Sequence, residues 1–417
     1  MKYWHRAIKI YLLFAFFGSI VLQTLLADAC YAQNFVFEGK RKKDALTFEQ
    51  IKNLIVVPLY LNGKGPYNFI LDTGVGSLII TDPGLLDTLR IKNPRTIKVY
   101  GFGQGEEIDA FLTNDVGVKI SEASAAHVPT AILKKDIFDL SSYLGQKIYG
   151  LIGYPFFNSF VVKINYSTSR LSFSLPSAKV KKRGHQVPIF IENNRPYLFA
   201  DLEDAHKRPF RVKLIIDCGA SHPLSMYALA GKPFPIPKDT ISANLGVGLS
   251  GVINGSMGRL SSLTLGKYSF KNILSGFPAY EALAKQVGYD KNDGNLGAEV
   301  LKRFTVIFDY PNLSMYLKPN SNYSTPFEHD MSGIEVYMDP NNKKHVFIGR
   351  IEPGSPAEKA GFLEQDEIVS LNMRFIQEYS LEDISKLFKS DDGRTILVEI
   401  VRNNRNLIKL LRLKRRI

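Results

Sequence analysis

The sequence predicts a mainly β protein in which two similar lobes follow one another and a smaller unit forms the C-terminal part. Three observations lead to this prediction: a long internal repeat, short runs of β-branched and aromatic residues separated by Gly, Asn, Asp and Pro, and few segments with a helical period. The 417 residues are 45% hydrophobic and 22% charged, which is typical of a globular chain. At about 100 to 200 residues per domain, this length predicts two to four domains.

The N-terminal residues 1–32 have the pattern of an export signal. Three basic residues precede or border an apolar run that begins at Ile10, and small residues provide a cleavage point after Ala32. The protein is therefore expected to be exported, to the periplasm or to the medium. Because the apolar run is nearly as long as a membrane-spanning helix, an uncleaved N-terminal anchor is the alternative.

The internal repeat joins segments that lie 144 or 145 residues apart. Residues 69–74 match residues 214–219, and residues 153–166 align without a gap onto residues 297–310. A basic, Pro-flanked stretch between the copies has the composition of a linker. We therefore predict a signal peptide over 1–32, a first lobe over 45–176, a linker over 177–187, a second lobe over 188–320 and a third unit over 329–417.

Charge and cysteine content narrow the class of protein. Basic residues outnumber acidic ones by 53 to 40, but their clusters at 179–183 and 412–416 have no interleaved aromatic residues that could stack on bases. Nucleic-acid binding is therefore not expected. The chain has two cysteines, and cleavage after Ala32 would leave only Cys218. An internal disulfide is then excluded, and apolar cores must hold the lobes together.

The repeat places Asp72 and Asp217 at corresponding positions, each after an apolar run that reads as a buried strand. If the lobes pack around a pseudo-twofold axis, the two carboxyls face each other. Two close carboxyls share one proton, because both cannot ionise at once. The charged member could then deprotonate a water molecule while the protonated member polarises a carbonyl, and this acid–base hydrolysis requires no metal or other cofactor.

The two repeats resemble the halves of a retropepsin-like or pepsin-like aspartic protease, fused in one chain. The motifs that carry the resemblance are Asp72-Thr73-Gly74 and Asp217-Cys218-Gly219, followed by Leu151-Ile152-Gly153 and Asn295-Leu296-Gly297. The resemblance covers about residues 45–320 and implies a bilobal double-β-barrel fold. It also implies that Asp72 and Asp217 are the catalytic pair, with Thr73, Gly74, Cys218, Gly219, Gly153 and Gly297 supporting the catalytic loops.

In this family, glycine-rich hairpins cover the substrate as flaps. The candidate flaps here are centred on Gly103 and Gly105 in the first lobe and on Gly248 and Gly251 in the second.

Two residues depart from the family pattern. Cys218 stands where the family has a Thr whose hydroxyl bonds across the lobes, and a thiol is a weak donor. Val75 replaces a small residue after the first Asp-Thr-Gly. An inactive, protease-like peptide-binding or scaffold protein is therefore the alternative. A cysteine nucleophile at Cys218, with His222 as its base, is a further reading, although it lacks a visible orienting group.

The third unit resembles a PDZ domain of the kind appended to bacterial envelope proteases. It contains two strand-like segments, a short helix capped by Ser355 and a second helix capped by Ser380. The resemblance implies a β-sandwich with two helices that binds an extended peptide as an added strand. The implied contacts are Gly333, Ile334, Glu335 and Val336 on one side and Ile384 and Leu387 on the other. Glu335 places a negative charge where a peptide carboxylate would bind, so packing on the lobes is the alternative role.

Together these features predict an exported aspartic-type endopeptidase that hydrolyses peptides or unfolded proteins. The catalytic pair would form within one chain, and the PDZ domain would bind a substrate or partner peptide.

Overall fold

The protein is described by a computed structural model over residues 34–99, 107–227, 234–248, 251–279, 292–342 and 345–417. The predicted export signal and the candidate flap residues Gly103 and Gly105 lie outside the described residues. Within the described ranges, no helix is long and apolar enough to cross a membrane. The described chain is mainly β, which confirms the predicted fold class.

The first lobe is built on a sheet of 11 described strands. The elements up to residue 176 are β1 (Val36–Phe37), β2 (Lys43–Thr47), β3 (Glu49–Ile51), β4 (Leu54–Leu61), β5 (Lys64–Leu71), β6 (Leu78–Ile80), α1 (Leu85–Thr88), β7 (Arg95–Val99), β8 (Ile108–Thr113), β9 (Val118–Ile120), β10 (Ala123–Ala125), β11 (Thr130–Leu133), α2 (Leu140–Leu144), β12 (Gly150–Ile152), α3 (Tyr154–Ser159), β13 (Val161–Asn165) and β14 (Arg170–Ser174). The sheet order is β1-β10-β9-β4-β5-β12-β6-β11-β8-β7, with β3 beside β4. Strand β12 is parallel to β5 and antiparallel to β6.

The second lobe repeats this topology in a sheet of eight described strands. Its elements are β15 (His185–Pro188), β16 (Phe190–Glu192), β17 (Arg195–Glu203), β18 (Pro209–Asp217), β19 (Leu224–Met226), β20 (Thr240–Gly248), β21 (Gly251–Leu265), β22 (Tyr268–Pro278), β23 (Gly294–Gly297), α4 (Ala298–Leu301), β24 (Phe304–Asp309) and β25 (Ser314–Pro319). The sheet order is β16-β17-β18-β23-β19-β22-β21-β20. Strand β23 is parallel to β18 and antiparallel to β19, as β12 is to β5 and β6.

A third sheet joins the lobes in the order β15-β25-β24-β13-β14-β2. At its centre β13 and β24, which are copies of each other in the repeat, pair antiparallel. Val161 pairs with Asp309 and Asn165 with Thr305, so the register is symmetric about the pair Lys163 and Ile307. A self-complementary register of this kind is what a twofold relation between two copies requires. One apolar core runs through both lobes.

The sheets extend beyond the predicted lobe bounds. Strand β1 pairs with β10, and β2 pairs with β14, although both begin before residue 45. Strand β15 pairs with β25, so part of the predicted linker is strand. These strands are short or rich in polar residues, which hides the alternation that marks a strand in sequence.

The third unit has its own apolar core. Its elements are β26 (Ile334–Met338), β27 (Val346–Ile351), α5 (Pro356–Lys359), β28 (Glu367–Leu371), β29 (Arg374–Phe375), α6 (Leu381–Phe388), β30 (Thr395–Arg402) and β31 (Arg405–Arg412). The sheet order is β26-β27-β28-β30-β31, with β29 beside β28. Both predicted helix caps are present: Ser355 accepts the Glu358 N–H, and Ser380 forms a capping box with Asp383.

Candidate active site

The two predicted catalytic residues lie at the ends of corresponding strands. Asp217 is the last residue of β18, and Asp72 directly follows β5. The Asp72 N–H donates to the Ile152 carbonyl at 2.8 Å, and Asp217 is paired with Gly297 in the parallel ladder. The second motif of each lobe therefore fixes the backbone of the first.

The structure brings the two carboxyl groups together. Their side chains share a hydrogen bond, and each carboxyl also accepts a backbone N–H from its own loop. Gly74 N donates to Asp72 Oδ1 at 2.7 Å, and Gly219 N donates to Asp217 Oδ1 at 2.9 Å. A Cβ atom on Gly219 would lie 2.2 Å from Asp72 Cγ, and one on Gly74 would lie 2.9 Å from Asp217 Cγ. Both glycines are therefore needed for the carboxyls to approach.

Asp72 is the more buried member of the pair, with 6% of its surface exposed. Burial, followed by the Asp217 carboxyl, raises the pKa of Asp72 well above its ordinary value. The positive charge of Arg195 lowers the pKa of Asp72, which partly opposes these two effects. The Arg195 Nε donates to the Gly74 carbonyl at 2.9 Å. A proton is therefore retained in the pair at a pH where an exposed carboxyl has lost it.

Thr73 and Cys218 hold the two catalytic loops against each other by reciprocal hydrogen bonds. The Thr73 hydroxyl donates to the Ile216 carbonyl at 2.7 Å and accepts the Cys218 N–H at 2.9 Å. The Cys218 thiol donates to the Leu71 carbonyl at 3.2 Å and accepts the Thr73 N–H at 3.4 Å. Although its S–H is a weak donor, the thiol takes the place that a second hydroxyl would have in a symmetric arrangement.

The same contacts make Cys218 a poor nucleophile. Its side chain is fully buried, and burial, followed by the Asp72 carboxyl, raises the pKa of the thiol. A protonated, buried thiol is inert, because the thiolate is the reactive form. The ring of His222 lies against another partner, with Nε2 at 2.9 Å from Ser225 Oγ. Cys218 therefore acts as a structural donor, and the geometry does not favour the cysteine-enzyme reading.

The supporting glycines pack tightly against the catalytic loops. A Cβ on Gly153 would lie 2.2 Å from the Asp72 carbonyl oxygen, and one on Gly297 would lie 1.9 Å from the His222 carbonyl oxygen. Val75, the second departure from the family pattern, packs on an apolar cluster that includes Phe138. Its side chain therefore contributes to the core of the first lobe.

The second candidate flap is a long hairpin that reaches the first lobe. Strands β20 and β21 pair up to Gly248 and Gly251, with an irregularity between Asn244 and Val247. Val247 packs on the cluster of the first lobe that also contacts Val75. The hairpin therefore spans the cleft between the lobes. Strands β7 and β8 flank the first candidate flap.

Sequence reasoning did not identify two side chains that contact the catalytic loops. Asn295 donates from Nδ2 to Asp217 Oδ2 at 2.6 Å. Arg195, at the start of β17, reaches across to the Gly74 carbonyl. The sequence feature that could have identified Asn295 is its polarity: it stands in an otherwise apolar motif, at the position where the first lobe has Leu151. Arg195 has no such signal, since its position depends on how the lobes dock.

A two-residue turn of the first lobe connects the loop after Asp217 to the third unit. Asn53 Nδ2 donates to the Ser221 carbonyl at 2.7 Å, four residues after Asp217. Its neighbour Lys52 donates from Nζ to the Val336 carbonyl of β26 at 3.0 Å and lies 3.6 Å from the centre of the Tyr143 ring. Burial lowers the pKa of Lys52 to about 8, and Glu335 partly opposes this shift.

Lys52→Met is expected to remove a pH dependence of stability. The pKa of Lys52 is lower in the folded state than in the unfolded chain, so the unfolded chain binds more protons between about pH 8 and its ordinary value of 10.5. Stability of the wild type should therefore rise with pH across this window, by about 3 kcal/mol, and that rise should be absent in the variant. Urea unfolding at several pH values measures this pH dependence of stability.

Lys64→Met is the matched control, because Lys64 is exposed and also donates to a backbone carbonyl. An equal pH dependence in wild type and Lys52→Met would contradict the prediction.

A cavity of about 770 Å³ lies between the third unit and the second lobe. It is lined by Ile334, Glu335, Val336, Ile384 and Phe388 of the third unit and by Ser221, Asn244 and Gly246 of the second lobe, among others. Glu335 accepts from Asn244 Nδ2 of the flap at 3.3 Å.

Two residues that the resemblance placed at the peptide do not line this cavity. Leu387 is partly buried against the edge of the core of the third unit, whereas Ile384 and Phe388, on the buried face of α6, belong to that core and also line the cavity. Gly333 has a φ of +77°, and a Cβ there would lie 2.2 Å from the Ser355 Cβ atom. Its role at this position is to let the chain turn beside α5.

Two family models match parts of the chain. The model for aspartyl protease matches residues 57–156, and the model for PDZ domain matches residues 347–402. No curated protein matches the chain.

Solved structures match it at low similarity. A photosystem II D1 C-terminal processing protease is 28% identical with a TM-score of 0.20, over 23% of this chain and 26% of that one, so this chain spans about a quarter of that protease. An aspartic proteinase from Irpex lacteus is 11% identical with a TM-score of 0.43, over 68% and 99%. A retropepsin-like aspartic protease from Rickettsia conorii is 14% identical with a TM-score of 0.25, over 32% and 92%.

The family matches agree with the geometry of the site. The aspartyl-protease match contains Asp72-Thr73-Gly74 and Gly153, and the second lobe repeats its topology around Asp217. The PDZ match covers most of the third unit. The chain therefore combines a bilobal region that resembles retropepsin-like aspartic proteases with a C-terminal PDZ domain.

Proposed function

We propose that the protein is an aspartic-type endopeptidase that hydrolyses peptides or unfolded proteins. The observation that carries this proposal is the contact between the Asp72 and Asp217 carboxyls, which share a hydrogen bond in loops held by reciprocal Thr73 and Cys218 contacts. Such a pair has one proton to donate and one charged oxygen to accept a proton, as acid–base hydrolysis requires.

In the proposed reaction, the charged carboxyl takes a proton from a water molecule while the water oxygen bonds to the peptide carbonyl carbon. The protonated carboxyl gives its proton to the carbonyl oxygen. The carboxyl that took the water proton then gives it to the peptide nitrogen, while the other carboxyl takes a proton back from a hydroxyl of the tetrahedral intermediate. The C–N bond breaks as that hydroxyl becomes a carbonyl, which yields a carboxylic acid and an amine and restores the pair to its starting protonation. The flap hairpin, with Val247 packed on the first lobe, would keep bulk water from the intermediate.

The PDZ domain is proposed to bind a peptide segment of the substrate or of a partner. A peptide added as a strand beside β26 would lie in the cavity that the second catalytic loop and flap also line. The N-terminal pattern of basic and apolar residues supports a place of action outside the cytoplasm, after export or at an N-terminal anchor.

The proposal is tested by incubating the purified protein with a diverse peptide mixture from about pH 3 to about pH 8 and reading the products by mass spectrometry. We expect internal cleavage that a pepstatin-type inhibitor blocks and that inhibitors of serine and cysteine proteases leave unchanged. If the folded protein leaves every peptide intact across this range, the endopeptidase proposal is wrong. The remaining reading is then a protease-like scaffold whose ligand site is the PDZ groove.

A further inference from the structure

The hydrogen bonds around the two carboxyls are not symmetric. Asp217 accepts N–H groups at both oxygens, from Gly219 at 2.9 Å and from the Asn295 side chain at 2.6 Å. Asp72 accepts the Gly74 N–H at 2.7 Å and shares a hydrogen bond with Asp217. The Asn295 amide therefore gives Asp217 a hydrogen bond for which the corresponding residue of the first lobe, Leu151, has no donor.

The backbone positions behind this difference are equivalent. Asn295 of β23 pairs with Ile215, two residues before Asp217. Leu151 of β12 pairs with Ile70, two residues before Asp72. The first lobe therefore has an aliphatic side chain where the second has a donor. Asn295 is 8% exposed, and within the described part of the chain its Oδ1 has no hydrogen-bond partner, so the bond from Nδ2 to Asp217 is the side-chain contact that orients the amide there.

An amide N–H that donates to a carboxylate stabilises the ionised form of that carboxylate. Burial of Asp72 also favours Asp217 as the charged member of the pair, because it disfavours the ionised form of Asp72. Both effects place the negative charge on Asp217 and the proton on Asp72.

The other polar groups near the pair do not reverse this distribution. Arg195 favours charge on Asp72, but its effect is smaller than those of burial and of the Asp217 carboxyl. Burial lowers the pKa of His222, which faces Asp217 and Glu299, so its ring is neutral near pH 7. Burial raises the pKa of the Tyr310 hydroxyl and of the Cys218 thiol, so both stay protonated.

We propose that Asn295 is a positioning residue that selects Asp217 as the ionised member of the pair and leaves the shared proton on Asp72. Asp217 then accepts the proton of the attacking water, and Asp72 gives its proton to the substrate carbonyl oxygen. The assignment of these catalytic steps rests on the proposed function, whereas the position of the proton does not.

The test is a pH titration of the aspartate carboxyls by ¹³C NMR in the wild type and in Asn295→Leu, which gives the second lobe the residue of the first. Asp72→Asn and Asp217→Asn assign the resonances of the pair. In the wild type, Asp217 should be ionised at a pH where Asp72 is still protonated. In Asn295→Leu, the first ionisation of the pair should move to higher pH by about one unit, because a hydrogen bond to the charged form is lost.

Two further variants keep the test decisive. The exchange Leu151→Asn/Asn295→Leu moves the donor to the first lobe and should return the first ionisation towards its wild-type pH while shifting the charge towards Asp72. Asn295→Asp keeps the shape of the side chain, and an ionised carboxyl there should also move the first ionisation of the pair to higher pH. Thermal unfolding shows which variants are folded.

The proposal is overturned if folded Asn295→Leu and Asn295→Asp both titrate as the wild type does, or if Asp72 is the ionised member in the wild type. The acid limb of the kcat/KM profile should move with the NMR transition, whereas a merely structural role would lower activity equally at every pH. If the wild type cleaves no peptide, the proposed function fails, and the NMR titration still decides the role of Asn295.

Discussion

Asp72→Asn and Asp217→Asn are each expected to reduce kcat/KM by about a thousandfold or more on any peptide that the wild type cleaves. The Asn side chain does not ionise in the range where the enzyme would work, so each variant lacks either the general acid or the general base of the pair. Both substitutions preserve the shape of the side chain. Asp72→Asn keeps an N–H donor for the Asp217 carboxylate and should fold about as stably as the wild type. Asp217→Asn leaves one acceptor oxygen for the two donors that Asp217 accepts, Gly219 N and Asn295 Nδ2, so this variant should fold but lose about 1–3 kcal/mol of stability. Progress curves on one fluorogenic peptide, with urea unfolding of the same samples, measure both effects.

Asp201→Asn is the matched control for this pair of variants. Asp201 lies in the second lobe, and its carboxylate accepts from Arg211 at 2.8 Å on an exposed part of β17. An exposed ion pair contributes about 0 to 1 kcal/mol, so activity and stability should change little. If either dyad variant retained activity near that of Asp201→Asn, the two carboxyls would not be the acid and base of the reaction.

The fold was predictable to the extent that it repeats in the sequence. The match of residues 69–74 to 214–219 appears in the structure as two parallel strand pairs, β5 with β12 and β18 with β23. An apolar strand followed by Asp and Gly is a local pattern. Because this pattern recurs at matched spacing in two lobes related by a pseudo-twofold axis, it predicts that the two carboxyls face each other across that axis. Local patterns do not show which short polar strands complete a sheet, which is why β1, β2 and β15 lay beyond the predicted bounds.

The chemistry of the site was predictable only in part. Cys218 reads in sequence as a weak substitute for Thr, but its role depends on two distances to the other lobe that the sequence does not contain. Asn295 and Arg195 act on the pair across strand or lobe contacts. Lys52 reads as a surface residue of a turn, and only the docking of the PDZ domain makes it a buried contact of β26. In each case the decisive partner is more than 70 residues away in the chain.

Direct side-chain contacts connect the PDZ domain to the loop after Asp217 and to the flap hairpin. Asn53 contacts the loop after Asp217, and Lys52 contacts β26. Glu335 of the same strand contacts Asn244 at the base of the flap irregularity. Strand β26 is therefore linked by direct contacts both to the turn that holds the loop after Asp217 and to the flap hairpin.

Gly219→Ala is expected to reduce kcat/KM by about a hundredfold or more, because a misplacement of about 1 Å at a catalytic group has effects of this size. The added Cβ would lie 2.2 Å from Asp72 Cγ and 2.3 Å from Asp72 Oδ2, so the Asp72 carboxyl must move away from Asp217. Moving it breaks the hydrogen bond between the carboxyls, and overpacking of this kind also destabilises a protein by about 1–3 kcal/mol.

Gly117→Ala is the matched control, because it makes the same substitution at a glycine where the added Cβ atom has room. A Cβ on Gly117 would have its nearest contact at 3.4 Å, an ordinary distance, and Gly117 lies in the first lobe near β9. This variant should keep the activity of the wild type. The comparison is made on kcat/KM at the pH optimum with both variants shown to be folded, since Gly219→Ala should lose activity while its fold persists. Activity of folded Gly219→Ala equal to that of Gly117→Ala would mean that the two carboxyls need not touch, and the shared proton would then lose its place in the reaction.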